Sequence, residues 1–379
     1  MEESEKLQIL SDLIAINTIN GNELESAQYI QNLLVKYGIK AEIDEFDQSR
    51  ANLVAEIGDQ NSDMILGFTG HQDTVAVSQL EKWNSDPFKA TIDEVRIYGR
   101  GAADMKSGLA AEIIALIELK ESNQPINGRV RLLLTSGEEL GAQGAYHFDQ
   151  SKIKDLSYMV VGEPTEGNVT YSHSGSLNYR IISHGKAYHS SVPQNGINAI
   201  SGLVEYINQE KTIFNDLPTD PILGDVQHSV TVIDGGSQVN IIPDHAELQG
   251  NIRPTKAGTN EAIIEIIQKT LAKINQTTEY DLEFELIHNF YPVVNEPDAK
   301  LVDVAIEASK KYYTKHEPKK QIDNGATDAS VFVQYKSDLP VVILGPDNEG
   351  SSHQINEHTT VNSFLEIIDA YKEMVRNLL

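Results

Sequence analysis

The 379-residue sequence predicts an α/β fold: a discontinuous domain with a mostly parallel sheet flanked by helices, plus an inserted α+β domain. Three observations carry this reading. Strand and helix patterns alternate as far as Val161, the rhythm of a parallel sheet covered on both faces. From Ser176 to Asn289 the pattern becomes four strands and two helices, as in an antiparallel sheet with helices on one side. From Ala299 the first style returns. The larger domain is therefore read as 1–175 and 290–379, and the insert as 176–289. A chain of this length exceeds what one hydrophobic core usually organises.

The elements follow in order. Segments 6–16 and 23–37 place apolar residues at three- and four-residue spacing, so both read as amphipathic helices. The second has Asn22 as an N-cap, Glu23 and Glu25 in its first turn, and Gly38 at its end. Strands are expected over 40–46, 52–57, 64–69 and 94–98, the third running straight into Gly70-His71. A strongly apolar helix covers 105–120, followed by strands at 129–135 and 158–161. The insert holds strands at 177–183, 229–234, 246–252 and 281–287, with helices at 198–210 and 260–275. A helix at 301–312, a strand at 341–344 and a helix at 363–378 complete the chain.

Composition narrows the function. The net charge of −26 repels nucleic acid and anionic membranes, so neither is an expected partner. The absence of cysteine excludes disulfides, thiolate metal sites and a cysteine nucleophile. No apolar run approaches 18 residues, and Met1-Glu2-Glu3-Ser4-Glu5-Lys6 lacks the basic-then-apolar pattern of a signal peptide. A cytoplasmic protein is expected.

Seven short strings put His, Asp and Glu at element ends. His71-Gln72-Asp73 follows an apolar strand, and residues two apart in extended chain point the same way. Asp73 can then orient one ring nitrogen of His71 while the other faces a cation. Asp104 lies after a Gly-rich turn, Gly99-Arg100-Gly101-Ala102-Ala103, and before a helix. As an ordinary N-cap it would still have a carboxylate oxygen spare for a metal. The stretch from Gly101 to Lys106-Ser107 is not a phosphate loop, because Met105 replaces the second glycine and Asp104 would repel phosphate. Glu138 and Glu139 follow a very apolar strand. Adjacent carboxylates point to different sides, so one can bind a cation and the other take a proton. Glu163 ends a buried strand and is held extended by Pro164, an expensive place for an unpaired carboxylate. His353 lies in a Gly/Ser-rich loop ahead of Glu357, with His358 as a rival ligand. Two histidines, three carboxylates and one free glutamate suit two ions such as zinc or cobalt with one bridging carboxylate. The remaining strings are His189-Ser190-Ser191 and Gly325-Ala326-Thr327-Asp328.

Together, in this order, these strings resemble the dinuclear-zinc amidohydrolase and exopeptidase family of aminoacylase, acetylornithine deacetylase, succinyl-diaminopimelate desuccinylase and carboxypeptidase G. The resemblance covers essentially the whole chain, the insert included. It implies that His71 and Glu163 hold one metal, that Glu139 and His353 hold the other, and that Asp104 bridges them. It implies Glu138 as general base and Asp73 as the partner orienting His71. The family's His-x-x-(Asn/Asp)-Glu setting selects His353 over His358. In the insert, the resemblance makes His189 the group that stabilises the developing oxyanion, across a dimer interface or on domain closure. Asn240 and Arg253 become substrate contacts, the latter gripping a carboxylate. Gly325 and Thr327 belong to the family's substrate loop. The insert would thus serve as a dimerisation and lid domain, and the partner would be a second copy of the chain.

Within the family, the string around Asp104 and the Thr327-Asp328 loop look closer to desuccinylases. The resemblance therefore implies release of succinate from N-succinyl-LL-2,6-diaminopimelate, in lysine and cell-wall precursor synthesis. Acetylornithine deacetylase or a broad N-acyl-amino-acid amidohydrolase comes second and a dipeptidase third. One departure counts against the succinyl preference: His173-Ser174 stands where the best-known desuccinylases carry a basic pair. A catalytically dead binding protein would lack a ligand or the base, and none is missing. A two-metal phosphatase or nuclease is disfavoured by the charge.

Overall fold

The computed structural model describes residues 1–379. It resolves into two compact units, the first Met1–Ser172, Val294–Ile322 and Thr327–Leu379, the second His173–Val293 and Asp323–Ala326. The short segment Asp323–Ala326 thus falls with the inserted unit, far from it in sequence.

The first unit opens with α1 (Glu3–Ala15), α2 (Glu23–Lys36), β1 (Ala41–Asp47), β2 (Arg50–Gly58) and β3 (Ile65–His71). Then come β4 (Thr91–Ile92), β5 (Arg96–Tyr98), α3 (Lys106–Glu121), β6 (Arg129–Thr135), α4 (Gln143–His147), α5 (Ser151–Lys154), β7 (Tyr158–Val161) and β8 (Val169–His173). Apolar periodicity located the long elements to within a few residues. Asn22 occupies the N-cap position of α2, but its backbone is left-handed and its side chain caps nothing. Its amide donates instead to Asn17 O and Glu25 Oε2.

The second unit holds β9 (Ser176–His184), β10 (Tyr188–His189), α6 (Ala199–Ile213), β11 (Gln227–Gly235), β12 (Ile241–Ile242), β13 (His245–Arg253), α7 (Asn260–Thr277) and β14 (Asp281–Phe290). Its four-stranded sheet runs β11-β13-β9-β14 and is antiparallel throughout. Alternate residues Leu177, Tyr179 and Ile181 of β9 face Leu203 and Tyr206 of α6 and Ile263 and Ile267 of α7 in one core. The small β10–β12 pair sets His189 opposite Ile241.

The chain closes with β15 (Val293–Val294), α8 (Lys300–Tyr312), β16 (Lys320–Asp323), α9 (Ala329–Tyr335), β17 (Val341–Ile343), β18 (His358–Thr360) and α10 (Val361–Leu378). The large sheet runs β1-β2-β6-β3-β7-β17-β8-β15, with β16 against β8. Its centre, β6-β3-β7-β17, is parallel. Antiparallel strands extend it on both sides, because β1 and β2 form a two-residue hairpin and β8 returns along β17. Leu66 and Phe68 of β3, Leu132 and Leu134 of β6, Val160 and Val342 point into one core with α1, α3, α8 and α10. Helix α3 is buried along nearly its whole length between these layers, which is why its apolar pattern has almost no polar face. No helix is long and apolar enough to cross a membrane.

Parallel pairing is what builds the site. Thr69 is level with both Leu133 and Val161, and His71 with Thr135. Three strands therefore end together, each handing its next residues to the same edge. A further antiparallel pair, β18 with β5, sets Thr360 against Arg96 and His358 against Tyr98. It carries the late loop around His353 to the Gly-rich turn after β5.

Candidate metal centre

His71 is the last residue of β3 and is buried. Its Nε2 lies 3.2 Å from Asp104 Oδ1 and 3.5 Å from Glu163 Oε1. His353 Nε2 lies 3.2 Å from Asp104 Oδ2 and 2.7 Å from Glu139 Oε1. Asp104 thus sits between two half-sites, one oxygen turned to each histidine. The ligand atoms of His71, Asp104 and Glu139 all fall within 4.8 Å of one another. The donor set, imidazole nitrogen and carboxylate oxygen without thiolate, fits a pair of borderline divalent ions sharing one carboxylate.

Each side chain has a structural reason for its place. Glu163 follows β7 by two residues, level with His71 in the parallel register. Helix α3 presses against the same strand end so closely that a Cβ on Gly108 would lie 1.8 Å from Gly162 O. Asp104 was expected as the N-cap of α3, but Met105 holds that position and no side chain caps the helix. The Asp104 carboxylate faces the two histidines instead. Glu138 and Glu139 lie in a 3₁₀ turn after β6, begun by Gly137 at φ 68°.

Asp73 is buried and its geometry differs from a simple orienting pair. His71 Nδ1 hydrogen-bonds the Asp73 backbone carbonyl at 3.0 Å, and the carboxylate stands 3.6 Å away. The carboxylate itself accepts from Glu138 N and Glu139 N, both at 3.1 Å. One residue thereby ties the His71 strand end to the turn bearing both glutamates. The rival His358 is engaged elsewhere, with Nδ1 on Asn356 O and Nε2 3.3 Å from Glu349.

The electrostatics describe a cluster short of positive charge. Burial pushes Glu163 up to about 7, helped by Asp104 and opposed by His71. Burial also pushes Glu138 well above the usual carboxylate range, with Asp328, Glu163 and Glu139 adding to it against His71. Burial works against protonation of His71, yet Glu163, Asp104 and Asp73 raise it well above the ordinary histidine value. Hydrogen bonds to Asp104 and Glu139 carry His353 up to about 10. Burial would raise Asp104 and Asp73, but the histidines hold Asp104 down, and His71 with two backbone amides holds Asp73 down. Protons on the two rings stand where cations would bind.

Two acidic residues of this region stand in strings noted in the sequence, where neither has an assigned role. Asp328, buried beside the cluster, takes a hydrogen bond from Thr135 Oγ1 and leaves its other oxygen unpartnered. Burial pushes it up to about 7. The His-x-x-Asn-Glu string contains a second such residue, Glu357, fully buried on Arg100. Of the expected substrate residues, Thr327 belongs to the first unit, where its hydroxyl accepts from Ala329 N at 3.3 Å. His189, Asn240, Arg253 and Gly325 belong to the second. There His189 is exposed, with Nδ1 2.8 Å from Ser191 Oγ, and Asn240 O accepts from Ser190 N. Arg253 ends β13 half-buried, and Gly325 N donates to Asp323 Oδ1 at 2.8 Å.

Known proteins resemble this chain in sequence and in fold. The peptidase family M20/M25/M40 matches residues 67–377. A probable succinyl-diaminopimelate desuccinylase of Staphylococcus aureus (strain N315) is 35% identical, covering 98% of this chain and 97% of that protein. Aminopeptidase PepT from Bacillus cereus ATCC 10987 is similar in structure at a TM-score of 0.80 and 22% identity, covering 100% and 99% of the two chains. A dinuclear metal binding peptidase of the M20 family from Bacillus subtilis is similar at 0.74 and 18%, covering 98% and 97%. At these identities the two structures speak to the fold.

Proposed function

The chain belongs to peptidase family M20/M25/M40, and on that premise we propose that it hydrolyses N-succinyl-LL-2,6-diaminopimelate to succinate and LL-diaminopimelate with two zinc ions. One observation carries the two-metal part: Asp104 presents one oxygen to His71, whose Nε2 Glu163 also meets, and the other to His353, whose Nε2 Glu139 also meets. His71 and Glu163 would hold one ion, His353 and Glu139 the other, with Asp104 between them. Such ions acidify water and polarise a carbonyl, and cobalt can substitute for zinc.

The chain's own residues supply the rest. Glu138 stands beside the ligands without being one, so its carboxylate takes the proton of the attacking water and returns it to the leaving amine. Asp73 holds Glu138 and Glu139 through their backbone amides. To His189 we assign a hydrogen bond to the developing oxyanion, to Arg253 a grip on a substrate carboxylate, and to Asn240 a further substrate contact. Gly325 and Thr327 take the amino-acid end. The inserted unit is proposed as the homodimer contact: β11 is an edge strand of its sheet, with Val232 and Ile233 exposed.

The acyl group rests on the desuccinylase relative. A broader N-acyl-amino-acid amidohydrolase is favoured by one observation. His173, where a basic pair would meet the succinyl carboxylate, is buried with Nδ1 on Ser174 O, and burial lowers its pKa. It brings no positive charge. The deciding experiment measures amine release by the zinc-loaded protein from N-succinyl-LL-diaminopimelate and N-acetylornithine side by side, with a chelated control. A succinyl preference of about 100-fold, roughly 2.7 kcal/mol, supports the desuccinylase. Equal or reversed preference selects the broader amidohydrolase, and chelator-resistant turnover refutes the metal mechanism.

A further inference from the structure

We propose that Glu357, locked by Arg100, is a positioning residue that sets the bridging carboxylate of Asp104 and couples its loop to that of His353. The inference rests on the dinuclear reading above. Glu357 is fully buried and Arg100 nearly so. Glu357 Oε1 accepts from Ala103 N and Asp104 N, each at 3.0 Å. Its Oε2 accepts from Arg100 Nη1, and Arg100 Nη2 reaches Ala76 O at 3.3 Å. The backbone carbonyl of Glu357 takes Gly99 N at 3.0 Å. Every oxygen of this residue is thus spent on the turn 99–104, and none is free for a cation.

The consequence is geometric. Two consecutive amides gripped by one carboxylate fix the peptide from which the Asp104 side chain departs, and with it the direction of both Asp104 oxygens. Glu357 also stands four residues after His353. The intervening turn is closed on itself by Ser351 Oγ, which donates to His358 O and accepts from His358 N. Movement of the His353 loop is therefore transmitted to Asp104 through Glu357. Partners that orient ligands typically account for about 10–100-fold in metal affinity. Arg100 lies over the ring of Trp83, 5.3 Å from its centroid, and Trp83 is the chain's single tryptophan. Its emission reports on the Arg100–Glu357 pair with no metal present.

The test compares wild type, Glu357→Gln, the double variant Arg100→Met/Glu357→Gln, and Glu118→Gln. The double variant removes both buried charges together and so guards against misfolding from an unpaired arginine. Glu118→Gln breaks a network with Lys6 and Lys372 at the other end of α3, and is the stability control. Zinc affinity is measured by competition with a chromophoric chelator, and the cobalt-loaded absorption spectrum and metal-free Trp83 emission are recorded. We expect both Glu357 variants to bind metal 10–100-fold more weakly, with altered cobalt spectrum and Trp83 emission, and Glu118→Gln to match wild type in all three. Folded Glu357 variants that bind two ions within twofold of wild type overturn the proposal, as does an equal loss in Glu118→Gln. Failure of wild type to bind two ions overturns the dinuclear reading. In that case unchanged exchange protection of the Ala103 and Asp104 amides in the variants overturns the positioning role separately.

Discussion

Loading the metal-free protein with zinc should expel protons, and the structure sets how many. In the absence of metal the two histidines facing Asp104, the proposed ligands, are both protonated at neutral pH, His353 because its pKa stands at about 10 and His71 because it is raised well above the ordinary value. Glu163, at about 7, is half protonated there. A cation needs the free imidazole nitrogen and the free carboxylate, so it competes with these protons and its affinity rises with pH. Counting the cluster as one titrating unit, two ions should displace about 2.5 protons at pH 7. The product of the two binding constants should then climb about 2.5 decades per pH unit near neutrality, or roughly 3 kcal/mol. Calorimetric titration of chelator-stripped protein in buffers of different ionisation enthalpy reads the number directly, as the slope of observed heat against buffer enthalpy. A slope below one proton would refute the reasoning, since the rings would then be neutral before the metal arrives and the carboxylates around them would not be holding charge in the way the distances require.

Three further outcomes are expected. Glu138→Gln should lower turnover by about 10²–10⁴-fold while metal analysis still finds two ions per chain; loss of metal would make Glu138 a ligand rather than the base. Gly108→Ala drives a methyl group into Gly162 O, so it should destabilise the first unit by about 1–3 kcal/mol. It should also weaken metal binding, because Glu163 is the next residue; full zinc occupancy at wild-type affinity would show that the strand end can shift without moving the ligand. Phe68→Ala empties a fully buried site whose ring centroid lies 5.2 Å from that of Tyr371. It should cost about 3–5 kcal/mol in urea unfolding, and a loss under 1 kcal/mol would mean the core collapses around the gap.

Much of the architecture could be read without coordinates because the information is local. Met64 to Phe68 and Leu132 to Leu134 are short, mostly apolar stretches, and a stretch of that kind between polar loops has few places to go except a buried strand. The helices α7 and α10 show their buried stripes directly in apolar spacing. Other elements stayed hidden for an equally physical reason. Strand β18 is three residues long and polar throughout, His358-Thr359-Thr360, and it exists as a strand because it pairs with β5. Asp104 looked like a helix cap, since Asp before a helix usually is one, and only the two histidines facing it show otherwise.

The amino-acid sequence by itself determined which side chains could take part: histidines and carboxylates at strand ends, no thiol, and a strong negative charge. It also determined the strands and helices that carry them. Tertiary structure alone decided which of these groups come together, because His71, Asp104, Glu139, Glu163 and His353 meet only through parallel register and the β5–β18 pairing. It decided too that the carboxylate of Asp73 serves the Glu138–Glu139 turn, and that Glu357 is spent on backbone amides. A carboxylate's role depends on which donors come within about 3 Å of it, and residues hundreds of positions apart in sequence reach that distance only when the chain is folded.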